Sequence, residues 1–259
     1  MELREDRIKF LLEGVSQAFA NGVRRACMSE VPTLAVDEIG LYDNTSVLFD
    51  ENLGLRIGLV PLKTEDLDLY RSPEECDCGG VGCPACRVDF MLTAEGPCTV
   101  YSRDMKFNDP TVKAAFDNIP LVVLGDGEKL VVEGYATKRT GRDHAKWQAG
   151  TLCGYKNLPR IEIHECTGCG KCVEVCPRMV LAMNDAGQVE VKDLMSCSLC
   201  KLCVEACEAG AIKVIPQLDS FVVVIESDGS IKAKDQVERA AESIRKRAQE
   251  LMTKLEELT

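Results

Sequence analysis

Eight of the chain's 15 cysteines fall between Cys166 and Cys207, in two copies of one spacing. The first reads Cys166-x-x-Cys169-x-x-Cys172-x-x-x-Cys176-Pro177, the second Cys197-x-x-Cys200-x-x-Cys203-x-x-x-Cys207. Thiolates are soft ligands, and four converging on one centre hold either a [4Fe–4S] cubane or a zinc ion. Two-residue gaps turn three successive thiolates toward one point, and the fourth comes from the start of the helix that follows. Four-cysteine zinc sites pair two separated Cys-x-x-Cys knuckles instead of three in a row. Disulfides need an oxidising compartment and an export signal. The spacing therefore predicts iron–sulfur ligation.

The run is the one used by two-cluster ferredoxins, in which the fourth cysteine of each copy ligates the other copy's cluster. On that pattern Cys166, Cys169, Cys172 and Cys207 hold one [4Fe–4S] cluster, and Cys197, Cys200, Cys203 and Cys176 the other. Glu208 stands where the second copy would carry proline, which alters the local turn more than the ligation. A third group, Cys76, Cys78, Cys83 and Cys86, is interleaved with Gly79, Gly80 and Gly82. Glycines let a backbone fold tightly around a small ion. Four thiolates so close in sequence fit a tetrahedral zinc site, the alternative being free thiols in a loop. Zinc is preferred to iron here because the spacing is not the ferredoxin run.

With 259 residues, 46% of them hydrophobic, the chain is long enough for one large domain or two to three small ones. A net charge of −11 argues against nucleic-acid binding by this chain alone. No apolar run approaches a membrane span, and the charged start Met1-Glu2-Leu3-Arg4-Glu5-Asp6 lacks a signal-peptide core. A cytoplasmic location is expected, with the cysteines reduced or bound to metal. With two His in the chain, metal chemistry must run on sulfur.

Around these groups, residues 2–12 alternate as a strand, and a helix is expected from Gly14 to about Ser29, ended by Pro32. Thr33–Tyr42 and Ser46–Phe49 read as strands flanking an Asp43-Asn44 turn, and 55–62 as a further apolar segment. Arg87–Ala94, Cys98–Ser102, Pro120–Leu124 and Lys129–Thr137 read as β-rich, with Gly125-Asp126-Gly127 as a hairpin turn. Short strands are expected at 188–191 and 211–215, and another at 220–227. In the final helix Val237, Ala241, Ile244, Ala248, Leu251, Leu255 and Leu258 step by four and three, an a/d seam suited either to the helix's own core or to pairing with another helix. Cys27, Cys98 and Cys153 are read as packing residues, His164 as a surface group or one supporting a cluster, Trp147 as an anchor of the β-rich part, and Asp66 and Asp68 as solvent-facing.

Four segments carry a family resemblance. Asn21-Gly22-Val23-Arg24-Arg25 with Glu30-Val31-Pro32 resembles the first helix of the alpha-like RNA polymerase subunits. Cys76-Asp77-Cys78 with Cys83 and Cys86, then Val100-Tyr101-Ser102-Arg103-Asp104, resembles the zinc-bearing second domain of the archaeal and eukaryotic members. Asp143-His144-Ala145-Lys146-Trp147 resembles their His-Ala-Lys segment. Phe221-Val222-Val223-Val224-Ile225-Glu226-Ser227-Asp228-Gly229 resembles the strand before their C-terminal helix. The matches run in family order over nearly the whole chain. An inserted double ferredoxin unit is a feature of some archaeal members, those of the D type, and the chain is similar to them.

The resemblance implies an α+β fold: a discontinuous alpha-like dimerisation domain (1–44 plus 218–259), an inserted β-rich domain with the four-cysteine loop (45–156), and an inserted ferredoxin-like 2[4Fe–4S] domain (157–217). It implies a non-catalytic assembly subunit of DNA-dependent RNA polymerase, with no active site of its own. Such a chain pairs with subunit L as a platform for the large catalytic subunits and reaches DNA only through the assembled enzyme. The clusters would be structural or redox-regulatory. The rival is a ferredoxin-type electron-transfer subunit of an oxidoreductase complex. Against it stand the zinc-like loop, the long seam helix and the lack of a flavin or nucleotide fingerprint.

Overall fold

The structure, a computed structural model, describes residues 2–258. Its elements in chain order are β1 (Glu2–Leu3), β2 (Arg7–Glu13), α1 (Gln17–Ser29), β3 (Pro32–Asn44), α2 (Asp50–Gly58), β4 (Leu62–Lys63), β5 (Val88–Glu95), β6 (Cys98–Tyr101), β7 (Lys106–Phe107), β8 (Lys113–Ala114), β9 (Pro120–Leu124), β10 (Lys129–Thr140), β11 (Gly150–Ile163), α3 (Lys171–Glu174), β12 (Leu181–Met183), β13 (Val189–Val191), α4 (Leu202–Glu205), β14 (Ile212–Ser227) and α5 (Ala233–Glu256). No helix among them is long and apolar enough to cross a membrane. The chain divides into two compact units, each gathered from separate segments. One takes Lys9–Arg24 and Gly154–Val224; the other takes Leu3–Ile8, Arg25–Cys153 and the chain from Ile225 on.

The larger unit is organised by a sheet of order β3-β10-β5-β7. β10 is antiparallel to β3 from Leu130↔Asn44 to Thr140↔Pro32, and to β5 from Lys129↔Glu95 to Ala136↔Val88. Its Leu130 and Val132 are buried while Lys129 and Glu133 are exposed, the period of two that seats a strand on a core. Where β10 crosses closely over its neighbours it carries Gly134; a Cβ there would stand 2.5 Å from the Glu38 carbonyl oxygen. α2 buries Leu53 and Ile57 in the same core as Val60, Leu62, Leu92, Leu130 and Val132. Its stripe advances by four and then three residues through Leu53, Ile57 and Val60, so the helix begins before the apolar 55–62 segment and includes only its start. Asp50 and Glu51 in its first turn suit the helix dipole.

Two expected β elements are absent for identifiable reasons. Ser46–Phe49 is a bend. The Asn44 side chain accepts from Ser46 N (3.2 Å) and donates to the Leu48 carbonyl (3.0 Å), closing the backbone on itself before it can pair. The Gly125–Gly127 turn exists, with Glu128 N donating to the Gly125 carbonyl at 3.2 Å, but it is not a hairpin. The strand before it, β9, pairs with β6, whereas β10 pairs with β3 and β5.

In the smaller unit β2, β14 and β11 lie side by side in that order. β14 runs unbroken through Ile212–Ser227, where sequence patterning expects two strands. Pro216, which has no N–H for a ladder, argues for a break there. Beside it, Asn157 Nδ2 bonds the Gln217 carbonyl (2.7 Å). β12 and β13 form a hairpin in the register Leu181↔Val191 to Met183↔Val189. In the cluster of eight buried residues around the cysteine runs, three are cysteines: Cys172, Cys197 and Cys203. A cluster so rich in sulfur is one that ligated metal would complete.

Candidate metal centres and pairing surface

The two cysteine runs fold alike. In each, the residues on either side of the second cysteine are left-handed: Gly168 (φ 70°) and Gly170 (φ 75°) in the first, Leu199 (φ 60°) and Lys201 (φ 63°) in the second. The same holds three residues after the fourth cysteine, at Met179 (φ 50°) and Gly210 (φ 62°). Glycine takes this conformation freely, while Leu199, Lys201 and Met179 each carry a steric cost of about 1–2 kcal/mol. Alternation of hand turns successive amides and side chains inward, the concave arrangement that cradles anionic sulfur. The amides do point at sulfur. Gly168 N donates to Cys166 Sγ (3.5 Å) and Leu199 N to Cys197 Sγ (3.5 Å). Val180 N donates to Cys176 Sγ (3.4 Å) and Ala211 N to Cys207 Sγ (3.2 Å).

Each run surrounds a cavity together with one cysteine of the other. Cys166, Cys169, Cys172 and Cys207 line one cavity, with Ile163, Val189 and Ile212. Cys176, Cys197, Cys200 and Cys203 line the other, with Arg178, Lys201, Val180 and Val214. Thiols converging on an apolar cavity, with backbone amides aimed at their sulfurs, are a donor set that fits a thiolate-ligated cluster. His164 is exposed, and its backbone amide is engaged by the Ala211 carbonyl (2.9 Å).

The loop at 76–86 is built differently. All four sulfurs of Cys76, Cys78, Cys83 and Cys86 lie within 4.8 Å of one another. The sulfur pairs Cys76–Cys83, Cys78–Cys86 and Cys83–Cys86 stand 3.5, 3.6 and 3.9 Å apart. A tetrahedron with metal–sulfur bonds of about 2.3 Å has edges of about 3.8 Å, so a single zinc fits without rearrangement. Gly79, Gly80 and Gly82 are all left-handed, and Cys83 N donates to Cys86 Sγ (3.4 Å). The Gly82 amide and the neighbouring Cys76 thiol hold the Cys78 thiol down at about 6. Cys76 is pushed up to about 12: the Cys78 amide favours its thiolate but is outweighed by thiol–thiol hydrogen bonding and burial. Unmetallated, the group keeps some protons that a divalent ion would displace.

Of the three remaining cysteines, Cys27 is fully buried and meets Cys153, two residues far apart in sequence. That contact and burial raise the Cys27 thiol far above its ordinary range. Cys98 is exposed and is not the packing residue expected, its Sγ lying 3.6 Å from the Glu95 carbonyl. Trp147 is buried and its Nε1 donates to the Thr137 carbonyl (3.0 Å).

α5 carries two parallel stripes. Ala233, Gln236 and Ala240 are buried, and Ser243 and Arg247 continue the same face to the Glu30 carboxylate. Gln236 Nε2 donates to the Cys27 carbonyl (3.0 Å). The apolar seam lies one residue further on. Val237 and Ile244 are half-buried, but Leu251 (59%), Leu255 (54%) and Leu258 (82%) are open. Asp68 faces solvent as expected, its side chain 66% exposed, and also forms a two-pronged ion pair with Arg239 of α5 at 2.8 and 2.9 Å, which holds its carboxyl below the usual range. Sequence spacing offered no signal for that pair.

The exposed C-terminal half of the apolar stripe on α5 suits pairing with another helix, and comparison with known families agrees. Residues 9–248 match the model of the RNA polymerase Rpb3/Rpb11 dimerisation domain. The chain belongs to the RNA polymerase Rpb3/Rpb11 dimerisation-domain family. Relatives named DNA-directed RNA polymerase subunit Rpo3 align end to end. The one from Methanosarcina acetivorans is 50% identical over all of this chain and 97% of its own length. The one from Archaeoglobus fulgidus is 42% identical over 100% and 97%, and that of Halobacterium salinarum 38% over 96% and 93%. As a family member the chain has a mixed α/β fold and is an assembly subunit of RNA polymerase that dimerises with the L/Rpb11-type subunit.

Proposed function

We propose that this chain is the D-type, alpha-like subunit of an archaeal RNA polymerase, and that it meets subunit L through the outward seam of α5 to form the platform for the large catalytic subunits. The observation that carries this is the offset of two stripes on α5. The polar and small stripe binds the helix to its own chain, while Leu251 and Leu258 on the other stripe are exposed and suit packing against another helix. In this reading 1–44 and 218–259 form the dimerisation domain, 45–156 the β-rich domain and 157–217 the cluster domain. DNA is met only in the assembled enzyme, in the cytoplasm.

Two [4Fe–4S] clusters belong to this reading, one held by Cys166, Cys169, Cys172 and Cys207, the other by Cys176, Cys197, Cys200 and Cys203. The four-cysteine groups around apolar cavities and the amides aimed at sulfur support it. When bound, the clusters supply folding free energy to a sulfur-rich core and a one-electron couple. Zinc at Cys76, Cys78, Cys83 and Cys86 is supported by the sulfur spacing. Anaerobic co-purification with metal analysis tests the whole: an L-type partner, roughly eight irons and about one zinc per chain are expected. A chain that carries no iron and ignores polymerase subunits would refute it.

A further inference from the structure

The two cluster sites share one backbone plan but not one electrostatic environment. Each receives the same two kinds of amide-to-sulfur hydrogen bond, from Gly168 and Ala211 in the first site and from Leu199 and Val180 in the second. Hydrogen bonding to the ligands therefore does not distinguish them. Charge does. The cavity of Cys166, Cys169, Cys172 and Cys207 is lined by no ionisable side chain other than its cysteines. The cavity of Cys176, Cys197, Cys200 and Cys203 is lined by Arg178 and Lys201. A third cation, Lys156, donates to the Cys197 carbonyl at 2.6 Å and is half-buried.

The difference lies at equivalent positions of the repeat. Arg178 follows the fourth cysteine of the first run by two residues, where the second run has Ala209. Lys201 follows the second cysteine of its run, where the first has Gly170. The first site's own nearby cation, Lys171, is neutralised by Glu208 at 2.5 Å, the residue that replaces the usual proline. In the second site Asp193 is the opposing acid; it is bonded to Ser196 and interacts with Lys156.

We infer that Arg178, Lys201 and Lys156 make the cluster of Cys176, Cys197, Cys200 and Cys203 the higher-potential member of the pair, so that the first electron resides there. The inference rests on reading the two runs as cluster ligands. One electron from a low-potential one-electron donor converts one ferric ion of a cluster to ferrous. No bond breaks, no proton moves, and the site becomes more negative by one charge. Cations beside the site favour that state, Lys156 held on the Cys197 carbonyl and Arg178 and Lys201 at its exposed rim, and potentials of such clusters follow local net charge, sulfur hydrogen bonds and exposure. Burial works the other way, because Cys197 is buried and Cys166 half-buried. Lys156, half-buried and hydrogen-bonded to the Cys197 carbonyl, acts with Arg178 and Lys201 against that single difference in exposure. The first site, apolar and uncompensated, holds its electron at lower potential.

The test is a dithionite titration followed by EPR on the anaerobically purified chain paired with its L-type partner. Two separate one-electron steps are expected. Arg178→Gln combined with Lys201→Gln should shift the upper step by at least tenfold in the reduced-to-oxidised ratio at fixed potential, about 59 mV for one electron, and leave the lower step in place. Ala209→Arg, an exposed substitution that copies the cation into the first site, should raise the lower step alone, and it decides the matter if the double variant loses iron. Coincident steps in the unmodified protein, movement of the lower step by the double variant, or movement of the upper step by Ala209→Arg would overturn the inference. Iron-free protein is a different failure, visible in metal analysis before any titration, and refutes the ligand assignment itself.

Discussion

Gln236 of α5 donates from Nε2 to the backbone carbonyl of Cys27 in α1, 3.0 Å away, and does so fully buried. Its nitrogen lies against Gly150, where an added Cβ would stand 2.5 Å from it. Three segments far apart in sequence are thus locked at one buried polar contact. Gly150→Ala is expected to cost about 1–3 kcal/mol by overpacking. Gln236→Ala is expected to cost about 1–3 kcal/mol by leaving a buried carbonyl unpaired. Urea midpoints of the two variants measure this; unchanged midpoints would mean the contact is not formed in solution.

The offset stripes of α5 predict a separation of folding from pairing. Leu251→Glu with Leu255→Glu changes residues more than half exposed, so circular dichroism and urea midpoint should match the parent. Recovery of the L-type subunit should fall at least thirtyfold, since each buried interface anchor is worth about 2 kcal/mol or more. Full recovery of L would place the interface elsewhere.

Glu30 gives a pH signature. Its side chain is 7% exposed, and Arg142 (2.7 Å), Ser243 (2.7 Å) and Arg247 all reach its carboxylate. Burial alone would raise its carboxyl, but Ser243, Arg247 and Arg142 outweigh burial and hold it below the usual range. A folded value below the unfolded one means the stabilisation is complete above the unfolded value of about 4.3 and is lost as pH falls toward the folded value. Glu30→Gln should therefore cost about 1–3 kcal/mol at neutral pH. Urea melts at pH 7 and near pH 3 should show that gap narrowing in acid; a gap independent of pH would rule the carboxylate out.

Cluster loss should be local. All eight cysteines of the two runs lie in the smaller unit, whereas the seam and Glu30 lie in the larger one. Changing Cys166, Cys169 and Cys172 to Ser should cost at least half the iron and open 166–210 to rapid hydrogen exchange, while L is still recovered. Loss of L from that variant would show that the two functions are coupled.

The 76–86 loop should bind one divalent ion and release protons as it does so, because Cys76 holds its proton well above neutrality. Calorimetry of zinc binding in buffers of different ionisation enthalpy reads the number released. Cys78→Ser should abolish stoichiometric zinc and leave the main melting transition intact, since the core around Leu92, Leu130 and Val132 contains none of the loop's sulfurs. Retained zinc in that variant would contradict the assignment.

The metal-site candidates were legible from the chain because they are local. Cys166–Cys176 and Cys197–Cys207 announce themselves by spacing, and so do the four cysteines of the 76–86 loop. The seam in α5 was legible too, but not which way it faces. Its neighbouring stripe of Ala233, Gln236, Ala240, Ser243 and Arg247 looks like a solvated face, yet it packs inward because Cys27 and Glu30 wait for it. Gly125–Gly127 was rightly a turn and wrongly a hairpin, since a turn is set by nearby residues and strand pairing by distant ones.

What the sequence by itself determined, then, is ligand chemistry and periodicity, both functions of residue type at short separation. Only the tertiary structure decided which helix face was already taken, that Cys27 meets Cys153, that Asp68 grips Arg239, and that Arg178 and Lys201 line one cysteine cavity while Lys171 is cancelled by Glu208. Those outcomes depend on groups separated by tens to hundreds of residues, whose proximity arises from the packing of the whole chain and leaves no periodic trace along it.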